Sequence, residues 1–361
     1  MQDAERRRLE QIVAWRPKHG VISAYFDIDR GDRGDAWRVE LKNGLGELSE
    51  PDDHEGKLAV RETVARVLER FDPDNEPPSG RAQVGFVEVA REQGTEDWSS
   101  LQISSRETVV KHGPRPLLHP LIDLINRGRA HPVLVVSAER VRGWLWDRGQ
   151  LEPESAWGAE LAIYPGRESG HDQFGQRLED NRKRFLEDFA RALNEDGRVR
   201  GSQVITIGEA PYLDEFVAGL PASVETRKLE GPDVINEPEA AIAELVGPEI
   251  ERALDEREAD LVRSIIDAAM SGGRGAAGIN ETSEALLEGR VEHLVLAFDG
   301  EVTLDELTPP ARESIEDADQ LGAAELMIEL ALRTSADVTP VTGDAGEALR
   351  EHGGAAALLR Y

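Results

Sequence analysis

Strand-like and helix-like hydrophobic periods alternate along all 361 residues, and this alternation constrains the fold more than any other feature of the chain. Val21 to Asp29 alternates apolar and polar residues, the period of a strand with one buried face. Helices are predicted over Ala36–Leu48 and Lys57–Phe71, with Pro73, Pro77 and Pro78 forcing a loop after them. Strands follow at Gln83–Ala90 and Ser99–Ser104. A proline-broken run from His112 to Pro120 leads to a short helix at Leu121–Asn126. A second unit opens with a strand at Pro132–Ser137 and a hairpin from Arg142–Trp146 to Leu151. Gly158 to Phe174 has no periodicity; a helix then runs from about Gln176 to Leu193, followed by a strand at Gln203–Ile207 and a helix at Tyr212–Ala218. Past Gly231 and Pro232, the third unit reads as a helix around Glu237–Val246 and a longer one from Pro248, then mixed helices and strands ending in a strand at Ala355–Leu359. The chain is therefore expected to be α/β (α+β), with three domains at 1–130, 131–232 and 233–361.

Composition narrows the class. There is no Cys, which excludes disulfides, thiolate nucleophiles and Cys-based zinc sites. No stretch approaches the roughly 20 apolar residues that span a bilayer, and no apolar run follows Met1–Arg8, so cytoplasmic residence without a membrane partner is the expectation. The net charge of −29, from 71 acidic against 42 basic residues, repels polyanions at long range. Screening limits that term to about 8–10 Å at physiological salt, so a local cationic patch can still meet a phosphate.

Most motifs dissolve on inspection. Gly273-Arg274-Gly275-Ala276-Ala277-Gly278 has the letters of a dinucleotide fingerprint but follows a predicted helix instead of a strand, so it reads as a flexible hinge. The eight histidines lack the spacing of a metal site, and no nucleophile elbow is present; no metal or other cofactor is expected. One segment stands apart: Pro165 to Gln176, carrying Gly166, Gly170, Gly175 and Gln173, directly before a basic helix. On that helix Leu178, Phe185, Phe189 and Leu193 form one apolar stripe, and Arg177, Arg184 and Arg191 a ridge on another side. A glycine-bearing loop with a glutamine, backed by Arg167, Arg177, Arg182, Lys183 and Arg184, suits insertion of an amide into a phosphate-lined cavity. The same charges also fit a solvated face with Asp180–Arg184 and Glu187–Arg191 pairs, and the residues alone leave both readings open.

Three stretches carry a family likeness: Val21 to Asp29 with Trp37-Arg38, Gly275 to Leu296, and Gly353 to Tyr361. They resemble bacterial members of the archaeo-eukaryotic class-one release factor and Pelota superfamily, near the Vms-like branch and the hibernation factor Balon. That resemblance implies a central RNase H-like domain with a Gly-rich loop, and an L7Ae-like C-terminal domain. It further implies a ribosome-binding factor that enters the A site of stalled or idle ribosomes and meets large-subunit rRNA and peptidyl-tRNA, not DNA. A translational GTPase is a partner it allows. Active members hydrolyse the peptidyl-tRNA ester through a Gly-Gly-Gln tripeptide. Aligning on the basic helix puts Gln173 at the glutamine, preceded here by His171-Asp172. Ribosome rescue by hydrolysis and non-catalytic hibernation are the two outcomes, and an acidic protein without a ribosomal role is the third.

Overall fold

The computed structural model describes residues 3–28, 36–49, 51–75, 78–101, 103–105, 108–128, 130–147, 150–161, 171–193, 195–196, 199, 202–297, 307–314 and 322–361, with the side chains of 3–6 and 171–178 left out. The chain is mixed α/β with three sheets, gathered into two compact units. One joins residues 1–127 to 253–361; the other is 128–252.

In the first unit the elements run α1 (Asp3–Val13), β1 (Val21–Asp27), α2 (Ala36–Gly46), α3 (His54–Arg70), β2 (Ala82–Glu88), β3 (Glu96–Leu101), β4 (Val109–Gly113) and α4 (His119–Arg127). Their antiparallel sheet has the order β3-β2-β1-β4. Strand β1 departs from the one-faced pattern read in the sequence. It is central, and Val21 to Phe26 are all buried. Ile22, Ala24 and Phe26 pack under α2 and α3, with Phe26 stacked on Trp37 at 5.6 Å. Ser23 faces the other way among Val21 and Tyr25, where its Oγ accepts the Leu117 N–H at 2.9 Å. A satisfied hydroxyl can be buried at little cost, so the polar letter does not mark a wet face.

In the central unit β5 (His131–Val136), β6 (Arg140–Asp147), β7 (Gln150–Pro153), β8 (Ala159–Glu160), α5 (His171–Leu193), β9 (Gln203–Gly208), α6 (Ala210–Gly219) and β10 (Glu225–Glu230) precede α7 (Glu239–Met270). The sheet order is β10-β9-β5-β6-β7, parallel through β10, β9 and β5, antiparallel beyond, with β8 also on β6. Two predicted helices are here one: α7 continues through Gly247-Pro248. Pro248 cannot donate its ladder bond, but Val246 and Ile250 on either side are both buried, and keeping that face in register outweighs the loss.

The remainder comprises β11 (Gly275–Ala277), α8 (Ile279–Leu287), β12 (Val291–Ala297), α9 (Pro309–Glu313), α10 (Ala323–Arg333), β13 (Asp337–Val341), α11 (Gly343–Arg350) and β14 (Ala355–Leu359), on a sheet ordered β11-β14-β12-β13. The glycine run expected to be a hinge is instead ordered: Gly275 to Ala277 pair with Leu358 to Ala356. A Cβ on Gly275 would lie 2.4 Å from the Ala269 backbone, so glycine there lets the strand lie against the end of α7.

Residues from both ends of the sequence share one core in the first unit, and a buried polar cluster joins them. Glu325 and Glu329 occupy successive turns of α10, both buried. Glu329 accepts from buried Arg115, from Arg16 at 3.1 Å and from Arg333 at 2.7 Å. Glu325 accepts the Leu118 and His119 N–H groups at 2.8 and 3.2 Å and faces His119 Nδ1. Burial, and after it the Glu325 charge, push the neighbouring Tyr25 hydroxyl well above its usual pKa. The side-chain amide of Asn126 donates to the Val338 carbonyl on edge strand β13 at 2.9 Å. Removing Arg115 leaves Glu329 its pairs with Arg16 and Arg333 but takes away its buried partner. Arg115→Ala should therefore cost about 1–3 kcal/mol in urea unfolding, whereas exposed Lys18→Ala should stay within about 0.5 kcal/mol.

Candidate functional site

Helix α5 carries most of the residues singled out in the sequence. It begins at His171, five residues before the predicted Gln176, so Gln173 and Gly175 stand on helical backbone in its first two turns and not in a loop. Gly166, Arg167 and Gly170 lie outside the described residues, as do the side chains of Gln173 and Arg177.

The buried stripe of α5 is Leu186, Ala190 and Leu193, spaced four and three, packed with Leu134, Val136, Val141 and Phe216. Phe185 and Phe189, expected at its centre, are half-buried shoulders; Phe189 meets the Phe216 ring at 6.3 Å. The stripe is rotated because small Ala190 allows closest approach, while the two large rings fill the gaps beside it.

That rotation sorts the cations. Arg182 sits on the inner shoulder, 27% exposed, and donates to the Glu139 carboxylate at 2.7 Å. Its charge is matched within the domain, which separates it from Lys183 and Arg184. Arg191 pairs with Asp188 at 2.9 Å, not with Glu187. Lys183 and Arg184 are exposed, and among the described residues they make no ion pair; the expected Asp180–Arg184 bridge is absent there too.

The chain approaches α5 through a fixed base. Trp157 is buried over β6, where a Cβ on Gly143 would come within 2.3 Å of the Trp157 Cβ; its indole donates to Asp196 at 2.8 Å. A glycine inside the strand pattern Arg142-Gly143-Trp144 was the available signal for this close approach, whereas nothing local marked Glu139. Two other polar groups are structural. The ring nitrogens of His112 lie 2.8 and 3.1 Å from the His19 and Ser49 carbonyls, and His119 is held by Glu325. Among the described residues no group of three His, Asp or Glu could hold a metal ion, and no helix is long and apolar enough to cross a membrane.

Stability should follow the same sorting. Lys183→Ala and Arg184→Ala should each change unfolding free energy by less than about 0.5 kcal/mol, while Leu186→Ala behind them should cost about 2–5 kcal/mol in chemical denaturation.

Comparison with known proteins gives one family match: residues 116–251 fit the model of "bacterial archaeo-eukaryotic release factor family 10". Among solved structures, the archaeal translation termination factor aRF1 is 18% identical over 100% of this chain and 99% of its own, with a TM-score of 0.27. Archaeoglobus fulgidus Pelota is 17% identical over 78% and 79%, with a TM-score of 0.35. Dom34 from S. cerevisiae, described as a translation termination-like factor interacting with Hbs1, is 9% identical over 78% and 79%, with a TM-score of 0.38. No curated protein matches the chain.

Proposed function

We propose that the chain, whose residues 116–251 fit the model of bacterial archaeo-eukaryotic release factor family 10, is a member of that superfamily and binds the ribosome as a release-factor-like translation factor. It enters the A site of stalled or idle ribosomes with the Gln173 end of α5 toward the peptidyl-tRNA ester. One observation carries this reading: the family match spans the unit that bears α5, and about 15 Å along that helix from Gln173 stand two exposed cations, Lys183 and Arg184, with no ion pair among the described residues. Two adjacent exposed cations supply a local phosphate contact that the −29 net charge cannot cancel at short range. In the reaction, the Gln173 amide orients a water and stabilises the oxyanion that develops on the ester. The protein works in the cytoplasm, and a translational GTPase delivers it.

A specific observation favours the second reading, a non-catalytic factor that occupies and blocks the same place. His171-Asp172 stands where the family's active members have Gly-Gly, and these residues are helical. A carboxylate at 172 beside an anionic RNA wall opposes close approach, and helical backbone lacks the freedom that a glycine pair gives.

Release of peptide from stalled complexes by purified protein separates the two. Hydrolysis predicts that Gln173→Ala slows release about a hundredfold or more; blocking predicts ribosome binding with no release from either protein. A Lys183→Glu, Arg184→Glu double variant should sediment less with ribosomes and flatten the slope of log affinity against log salt by roughly one to two. Failure of wild-type protein to sediment with ribosomes at low salt would remove both readings.

A further inference from the structure

Two described groups that flank the start of α5 in sequence, the Leu161 N–H and the Arg182 guanidinium, both donate to Glu139. This glutamate sits in the tight turn between β5 and β6, which is closed by Ser137 N–H to the Arg140 carbonyl at 2.9 Å and Arg140 N–H to Ser137 Oγ at 3.2 Å. On the outgoing side β8 pairs with β6, Glu160 opposite Arg140, and the Leu161 N–H then donates to the Glu139 carbonyl at 2.7 Å. On the returning side the Arg182 guanidinium donates to the Glu139 carboxylate, also at 2.7 Å. Arg182 is the first described side chain of α5 to turn inward, since Glu179, Asp180 and Asn181 before it are all exposed. From His171 to Arg182 the helix rises about 16 Å. A small tilt at Arg182 is thus carried to the Gln173 turns as a displacement several times larger than one at the pivot.

We propose that Glu139 is a positioning residue, setting through one carbonyl and one carboxylate where the Gln173-bearing span starts and at what angle α5 returns. Arg182 then serves as the other half of that clamp and not as an RNA contact. The pair is well suited to orientation. Among the described residues the partner of the Arg182 guanidinium is the Glu139 carboxylate. The carboxylate end, 42% exposed, is open enough to be replaced without leaving a buried charge behind. The use made of the positioned span rests on the function proposed above; the clamp itself does not.

The test is a charge reversal read by amide hydrogen exchange on the free, full-length protein. Glu139→Arg should speed exchange in the turn of α5 around Arg182 by roughly fivefold, leaving 159–161, which bond the backbone carbonyl of residue 139, and β9 and α6 unchanged, and adding Arg182→Glu should restore protection. Unchanged exchange in Glu139→Arg, or a double variant no better protected than the single, would overturn the clamp. In a second arm, if wild-type protein releases peptide, Glu139→Arg should slow release per bound ribosome by roughly fivefold with co-sedimentation held within about twofold, and the double variant should recover it. Equal loss of binding and release would argue against positioning. A wild-type protein that releases nothing would count against hydrolysis alone, because the exchange arm still decides the role of Glu139.

Discussion

Two carboxylates that cannot be left unpaired hold the first unit together. Glu325 and Glu329 lie in a core shared by α1, β1, α4 and α10, where an isolated charge would cost several kcal/mol. Each is matched by groups from the other end of the sequence: Arg115 and Arg16 for Glu329, the backbone of Leu118 and His119 for Glu325. Apolar packing alone would tolerate sliding of one layer over another. The ion cluster does not, because its donors fit in one register only. Residues 1–127 and 253–361 therefore form a single unit with one polar seam, and edge strand β13 is closed by Asn126 as part of the same arrangement.

The central unit solves a different problem. It holds a long helix by one face, with Lys183 and Arg184 exposed on another. Leu186, Ala190 and Leu193 provide the grip, Arg182 pairs with Glu139, and Lys183 and Arg184 make no ion pair among the described residues. A strongly acidic molecule can carry such a site because screening confines each charge to its neighbourhood. What matters is which cations lack an internal partner. Among the described residues Arg182 and Arg191 have such a partner, and Lys183 and Arg184 do not.

Much of this could be read from the residues, and the misreadings have physical causes. The alternation of periods gave the mixed α/β class, and the strands at 82–88, 131–136 and 203–208 fall close to where the pattern put them. Helix α1 and strand β4 went unread, α1 because charge dominates its short stretch, β4 because His112 to Pro120 reads as broken. Pro248 was taken as a helix start, yet α7 passes through it, since burial of Val246 and Ile250 on one face outweighs one lost bond. The glycine run at 273–278 reads as a hinge by composition, but its strand is fixed by pairing with β14.

The sequence by itself determined the class of fold and the run of cations at 182–184, because periodicity and local charge are written in neighbouring letters. Only the tertiary structure decided which of those charges are free and where the helix is pinned. Glu139 lies 43 residues from Arg182, and Arg115 lies 214 from Glu329. Pairings at such separations depend on how sheets and helices close around them, and no local pattern encodes that.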